Sequence, residues 1–158
     1  NQHSINLAKA NGAIIILDPA PAMKLEDSAW NGIDIVTPNE SEAKTLTGIE
    51  VTDAKSAMLA GKWFVDRGVG MATITAGKDG VYAVTERGIT HFPAPQVSAI
   101  DTTAAGDAFA GYLGALISQG AEIDNAISEA VVAASISVTK IGASTSLPRR
   151  AEVLAFTK

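Results

Sequence analysis

A chain of 158 residues, 47% of them hydrophobic, has material for one well-packed domain; with only 18% charged residues it is neither a disordered acidic tail nor a coiled coil. Its formal net charge of -5, with the basic residues scattered, argues against a nucleic-acid partner. The absence of cysteine excludes a disulfide framework and a thiolate zinc site and suits a cytoplasmic protein, and the longest apolar run, Ala13 to Leu17, is too short to span a bilayer.

The chain opens on Asn rather than Met and directly in a helical pattern, as expected of a piece of a longer protein. Gln2 to Asn11 reads as the tail of a helix closed by Asn11-Gly12. Ala13 to Leu17 then reads as a short buried strand, stopped by Asp18-Pro19 and Pro21. Ile33 to Val36 is a second strand, and Thr37-Pro38-Asn39 leads into a helix from Glu40 to Leu46. Thr52 to Asp66 predicts a longer amphipathic helix capped by Thr52, with Ala57, Leu59, Trp63 and Phe64 on its apolar side. Met71 to Thr75 is a third strand; Gly77-Lys78-Asp79-Gly80 turns the chain into Val81 to Val84, and Arg87-Gly88 turns it into Ile89 to Phe92.

After Pro95 the small-residue stretch from Asp101 to Gly106 runs into a helix from Ala105 to Gln119, and a second apolar helix covers Ile123 to Thr139. A Gly-Ala-Ser loop follows, then a short helix from Pro148, within which Arg149-Arg150 reads as a solvated helix start. Strands alternating with helices in the first half indicate a parallel sheet with helices on its faces. Trp30 and Trp63 read as packing residues, and His3 and His91 have no metal-site spacing.

Chemistry concentrates in Ile100 to Gly111. Small residues let the backbone approach a ligand closely, and a helix starting here aims free amide N–H groups and the positive end of its dipole at an anion such as phosphate. Asp107, in the first helical turn, is then placed to accept the proton of an attacking hydroxyl beside a transferring phosphoryl group. The structural alternative is that Asp101 or Thr103 caps the helix and Asp107 is merely favourable first-turn charge. Asn39 and Glu42, three residues apart, share a helix face; a helix cap and its capping-box partner is the plain reading of that pair. Gly77 and Gly80 by themselves indicate a hairpin turn. No Gly-x-x-x-x-Gly-Lys-Ser/Thr occurs, which excludes a P-loop NTPase, and no Gly-x-Gly-x-x-Gly follows a strand.

Asp101-Thr102-Thr103-x-Ala105-Gly106-Asp107-x-Phe109 resembles the C-terminal signature of the ribokinase-like carbohydrate and nucleoside kinases. Leu17 to Ala22 resembles that family's strand-end Asn-Pro-Ala-Pro segment, and Asn39-Glu40-Ser41-Glu42 its Asn-x-x-Glu motif. Thr75 to Gly80 resembles its nucleotide-side Gly-x-x-Gly turn, and Val138 to Pro148 its closing loop. The motifs occur in family order over nearly the whole chain.

The resemblance implies a three-layer α/β/α fold with a mostly parallel sheet, of which residues 1–158 form the C-terminal nucleotide-binding and catalytic part. It implies that Asp107 is the catalytic base and that the amides of Ala104, Ala105, Gly106 and Asp107 form the anion hole for the γ-phosphate of ATP. Ala104 is a departure, standing where many relatives have Gly; at positive φ it would cost on the order of 1 kcal/mol but would keep its N–H. Asn39 is expected near the phosphates and Glu42 near Mg²⁺, with Thr75, Ala76, Gly77, Lys78, Asp79 and Gly80 along the ATP and Val131 in apolar contact with the adenine. A monovalent cation, K⁺, is expected at Asp101, Thr103, Ser137, Lys140, Gly142 and Ser146, several of them acting through carbonyls.

The implied activity is phosphoryl transfer from ATP to a primary hydroxyl of a small-molecule sugar, D-ribose first, with other sugars or nucleosides as alternatives. A nucleotide-binding relative without catalysis is the reading from a different class. The family's Gly-Gly sugar-binding segment and β-lid, which also supplies the dimer contact of full-length ribokinases, have no counterpart in these 158 residues, so the chain alone is expected to be inactive.

Overall fold

Apolar strands in this chain are short and alternate with helices, and a computed structural model describing residues 2–156 shows how they pair. Helix α1 (Gln2–Ala10) ends at the Asn11-Gly12 turn and leads to strand β1 (Ile16–Leu17), which pairs in parallel with β2 (Ile35–Val36). Strand β2 pairs in parallel with β3 (Met71–Thr75), and β3 pairs antiparallel with β4 (Val81–Thr85); β5 (Gly88–Phe92) completes the order β1-β2-β3-β4-β5. Helices α2 (Glu40–Thr47) and α3 (Ala54–Val65) connect β2 to β3. Beyond the sheet come α4 (Ala105–Ser118), α5 (Ile123–Ser137) and α6 (Arg150–Phe156). The sheet is thus mixed, parallel through its first three strands. No helix among the described residues is long and apolar enough to cross a membrane.

The contacts divide the chain into two compact units. One comprises the residues up to Gly77 with Val81–His91, and the other Lys78–Gly80 with the residues from Phe92 onward. In the first unit, Trp30, Phe64 and Val36 are fully buried, and Trp30, Trp63 and Phe64 meet edge to face at centroid distances of 5.1–5.8 Å. The Arg67 guanidinium lies 3.6 Å from the centroid of the Trp63 ring, so both tryptophans serve packing as expected. Helix α3 comes close to β4 at Gly61, where an added Cβ would stand 2.5 Å from Val84 Cβ. In the second unit, α4 packs along α5, and Val153 of α6 is buried against Ala133 and Ile136.

Several boundaries differ from the sequence expectation. Strand β1 does not begin at Ala13, because the Ile15 N–H donates to the Asp34 carboxylate (2.8 Å) instead of entering the ladder, and Ile14 is exposed. Asp34 also pairs with Lys9 at 2.7 Å, and the Ile33 N–H closes the preceding turn on the Trp30 carbonyl at 3.3 Å, so β2 starts at Ile35. Helix α3 is capped by Asp53, not Thr52: Asp53 Oδ1 accepts from the Ser56 N–H at 2.7 Å, and Ser56 Oγ accepts from the Asp53 N–H in return. Leu59 faces solvent at 52% exposure. The buried face runs through Ala57, Ala60, Gly61 and Phe64, and two residues of helix turn Leu59 about 200° from Ala57.

Helix α5 stops at Ser137 rather than Thr139, because the next residues close tighter i→i−3 turns and the Val138 carbonyl accepts the Ile100 and Asp101 N–H groups at 2.7 and 3.2 Å. Helix α6 begins after Arg149, whose N–H donates to Glu152, so Pro148 stands outside it.

Candidate active site

In the first unit, the expected nucleotide residues gather where β2 and β3 end. Asn39 forms a bridge with Thr75, and the Thr75 N–H donates to the Pro38 carbonyl at 2.9 Å. Asn39 is the N-cap of α2: its Oδ1 accepts from the Glu42 N–H at 2.9 Å, while Glu42 Oε2 accepts from the Asn39 N–H at 2.8 Å. The structural reading of this pair therefore holds. It uses one oxygen of each side chain, leaving the Asn39 amide nitrogen and Glu42 Oε1 outside the capping box. Ala76 is buried and Gly77 is exposed at left-handed φ (50°).

In the second unit, exposed Lys78 and Asp79 lead to buried Gly80, whose φ is 92°. A Cβ there would stand 2.1 Å from the Phe92 carbonyl oxygen, so only glycine fits this turn.

The small-residue loop ahead of α4 is built from backbone hydrogen bonds. Asp101 Oδ1 accepts from the Thr103 N–H and Oδ2 from the Gly142 N–H, both at 2.9 Å. Hydrogen bonds from the Thr103 side chain and from the Gly142 and Thr103 amides hold the Asp101 carboxyl at about 2, below its ordinary 3.8. Asp101 thus clasps two loops that lie far apart in sequence. It does not cap α4, and neither does Thr103: the N-cap is Ala104, at φ 62° and ψ 14°, with no side-chain cap.

Ala104 is the one non-glycine residue at positive φ among the described residues. The first full turn of α4 closes from the Ala108 N–H to the Ala104 carbonyl at 2.8 Å, and the Ala105 N–H reaches the Thr102 carbonyl at 3.3 Å. The Gly106 and Asp107 amides are thereby left outside the helical ladder at the positive end of a 14-residue helix. Open space lies in front of Gly106, where an added Cβ would meet nothing within 4 Å. Asp107 is exposed at the third helical position, and its carboxylate joins no hydrogen bond or ion pair among the described residues.

The remaining expected residues lie on α5 and the loop that follows it. Val131 is buried in α5 at 4% exposure, so it presents little surface. Ser137 and Ser146 are fully buried, their hydroxyls donating to the Ala134 and Ala143 carbonyls at 2.8 and 2.7 Å. Gly142, at φ 99°, turns toward Asp101, and a Cβ there would meet Thr145 Oγ1 at 2.5 Å. Lys140 pairs with Glu152 at 2.8 Å. The structure thus brings Asp101, Thr103 and Gly142 together by direct contact. Sequence reasoning missed Glu152, for which the available signal was its place three residues after Arg149 at a helix start.

The sequence profile of the pfkB family carbohydrate kinases matches residues 2–150. The chain is 45% identical over 150 residues to a ribokinase of Haemophilus influenzae, covering 95% of this chain and 49% of that protein. It is 35% identical over 147 residues to a deoxyribokinase of Salmonella typhi, covering 92% and 48%. Among solved structures it resembles ribokinase of Thermotoga maritima (TM-score 0.84, 37% identity, 98% of this chain and 52% of the other). It also resembles Arabidopsis thaliana ribokinase complexed with ribose and ATP (TM-score 0.90, 27% identity, 98% and 50%). The chain spans about half the length of the curated relatives it matches. Its fold is the ribokinase-like α/β fold, and the chain belongs to the pfkB family of carbohydrate kinases.

Proposed function

We propose that this chain is the nucleotide-binding and catalytic part of an ATP-dependent sugar kinase that phosphorylates a primary hydroxyl, with D-ribose as the substrate. The observation that carries the reading is the start of α4: a helix without a side-chain cap, turned by left-handed Ala104, open at Gly106, with the Asp107 carboxylate unpaired beside it. Such an N-terminus suits phosphate oxygens, and an unpaired acid beside them suits a general base. The choice of ribose rests on relatives named ribokinase at 45% and 40% identity.

In this reading Asp107 takes the proton of the sugar hydroxyl as its oxygen bonds to the γ-phosphorus, and the bond to the departing ADP breaks. The amides of Ala104, Gly106 and Asp107 hold the transferring group and offset the charge that develops on it, while that of Ala105 is turned to the Thr102 carbonyl. Asn39 contributes its free amide nitrogen to the nucleotide phosphates, the Thr75–Gly80 turn runs along the nucleotide, and Val131 backs the adenine. Glu42 fits Mg²⁺, since its Oε1 lies outside the capping box and a hard ion that retains water needs such an oxygen.

At Asp101, Thr103, Ser137, Lys140, Gly142 and Ser146 the ligands would be oxygens, the Asp101 carboxylate and backbone carbonyls, with Lys140 acting through its carbonyl because its ammonium pairs with Glu152; such a set suits K⁺ rather than a transition metal. The two ions would supply neutralising charge beside the phosphates.

The test is ADP release with D-ribose, Mg²⁺ and K⁺ by the full-length protein carrying this chain, compared with Asp107→Asn. Loss of about 10²–10⁴ in kcat with ATP affinity retained is expected of a missing base. Undiminished turnover in Asp107→Asn refutes the assignment. ATP binding without turnover in either protein identifies a nucleotide-binding relative instead.

A further inference from the structure

The loop from Lys140 to Arg149 carries Gly142, the residue that Asp101 grips, and Ser146 is the one residue of the loop that is buried. Ile141 is 77% exposed and Leu147 42% exposed, so neither anchors the loop in a core. Internal turns join Thr145 Oγ1 to the Ile141 carbonyl and Ser146 to the Ala143 carbonyl, but these shape the loop without attaching it to anything else. Backbone bonds tie each end to its neighbouring helix, Lys140 N–H to the Ser137 carbonyl and the Glu152 and Val153 N–H groups to the Arg149 carbonyl, but one side chain bridges the two ends. Glu152 Oε1 accepts from Lys140 Nζ at 2.8 Å, and Glu152 Oε2 accepts from the Arg149 N–H at 2.7 Å.

Glu152 is itself on a fixed platform. Its neighbour Val153 is fully buried against α5, and Arg150 reaches Gln119 at 2.9 Å and Glu129 at 3.7 Å. A chain of direct contacts therefore runs from α6 through Glu152 to both loop ends, across Gly142 to the Asp101 carboxylate, and from there to the Thr103 N–H just ahead of α4.

We propose that Glu152 is a positioning residue: by holding both ends of the 140–149 loop it sets Gly142 against Asp101 and so fixes the backbone that leads into the start of α4. This rests on the kinase reading only for its purpose, since the same backbone is there assigned to phosphate and K⁺; the geometric role stands on the contacts themselves. An exposed Lys–Glu pair alone holds little. Glu152 differs because its second oxygen takes a backbone N–H at the far end of the same loop.

The experiment is residue-resolved hydrogen exchange on the chain, comparing Glu152→Ala and Lys140→Met with Arg150→Ala. The last removes the α6 contacts to Gln119 and Glu129 but leaves both loop ends held. Expected are Gly142 and Thr103 amides exchanging about five- to tenfold faster in Glu152→Ala, a smaller rise in Lys140→Met, and wild-type rates in Arg150→Ala. Unchanged Gly142 exchange in Glu152→Ala overturns the proposal. An equal rise in Arg150→Ala overturns it too, reducing Glu152 to general docking of α6.

Thermal melting in KCl against choline chloride separates the two readings. A K⁺-induced stabilisation whose half-maximal concentration rises several-fold in Glu152→Ala joins the positioning role to the cation. Wild-type melting indifferent to K⁺, with the exchange pattern intact, refutes the cation assignment and leaves the positioning role standing.

Discussion

Replacing Ala104 tests the feature on which the candidate active site turns. Its φ of 62° places an L-residue in the left-handed region, which costs about 1–2 kcal/mol relative to the right-handed form. Glycine removes that cost but gives the unfolded chain more freedom, a loss of about 0.4–1 kcal/mol. The balance predicts that Ala104→Gly stabilises the chain by about 0.5–1 kcal/mol. Valine, branched at Cβ, tolerates this conformation worse than alanine, so Ala104→Val is expected to lose at least about 1 kcal/mol. In urea unfolding followed by circular dichroism, with a slope of about 1–3 kcal/mol per molar, the gap of about 2 kcal/mol between the variants is a midpoint difference near 1 M. Gly and Val variants unfolding within about 0.5 kcal/mol of each other would refute a left-handed Ala104, and with it the geometry that aims the Gly106 and Asp107 amides outward.

Two further predictions probe the first unit. Asn39→Ala removes the N-cap of α2 and should lower stability by about 1 kcal/mol, whereas Asn39→Asp keeps a capping oxygen and should stay within about 0.5 kcal/mol of wild type. If Asn39 also faces nucleotide phosphates, Asn39→Asp loses about tenfold or more in ATP affinity by calorimetry, while retained affinity limits Asn39 to capping. Asp53 has its carboxyl lowered by hydrogen bonds from the Ser56 side chain and N–H. A carboxyl lowered on folding contributes stability in full above its unfolded value near 3.8, and loses it as pH falls through the still lower folded value. The stability gap between wild type and Asp53→Ala is therefore constant from pH 7 to about 5 and shrinks below about 4; a gap that widens in acid would contradict the sign.

The elements of this chain were legible because apolar runs and their stops coincide: Met71 to Thr75 is recovered at both ends and the helix from Ile123 at its start. What was not legible is competition for backbone groups. Nothing in Ala13-Ile14-Ile15 shows that the Ile15 N–H will leave the ladder for Asp34, and nothing in Val138-Thr139 shows that the Val138 carbonyl will serve Ile100 and Asp101. The cap of α3 fell one residue from the expected Thr52 because Asp53 and Ser56 satisfy each other reciprocally, which Thr52 and Lys55 cannot do. Leu59 belongs to the apolar side by its hydrophobicity, but its angular position puts it outside.

The candidate site was legible by composition, since close backbone approach needs small residues and Asp101 to Gly106 supplies them; which acid stays unpaired was not. Three acids occupy the third position of a helix here: Glu42 on α2, Asp107 on α4 and Glu152 on α6. By position each could fold back on its own helix start. Glu42 and Glu152 do so, accepting from the Asn39 and Arg149 N–H groups. Asp107 does not. Its side chain is one methylene shorter, and the residue before its helix is left-handed Ala104, whereas Asn39 before α2 is extended, at φ -82° and ψ 177°. Both dihedrals of the residue before the helix differ between α4 and α2, so the N-cap N–H does not take the orientation that the α2 capping box uses. The left-handed N-cap of α4 thus goes with an unpaired Asp107 carboxylate and with Gly106 and Asp107 amides outside the helical ladder, the combination that the proposed base and phosphate site require and that α2 lacks.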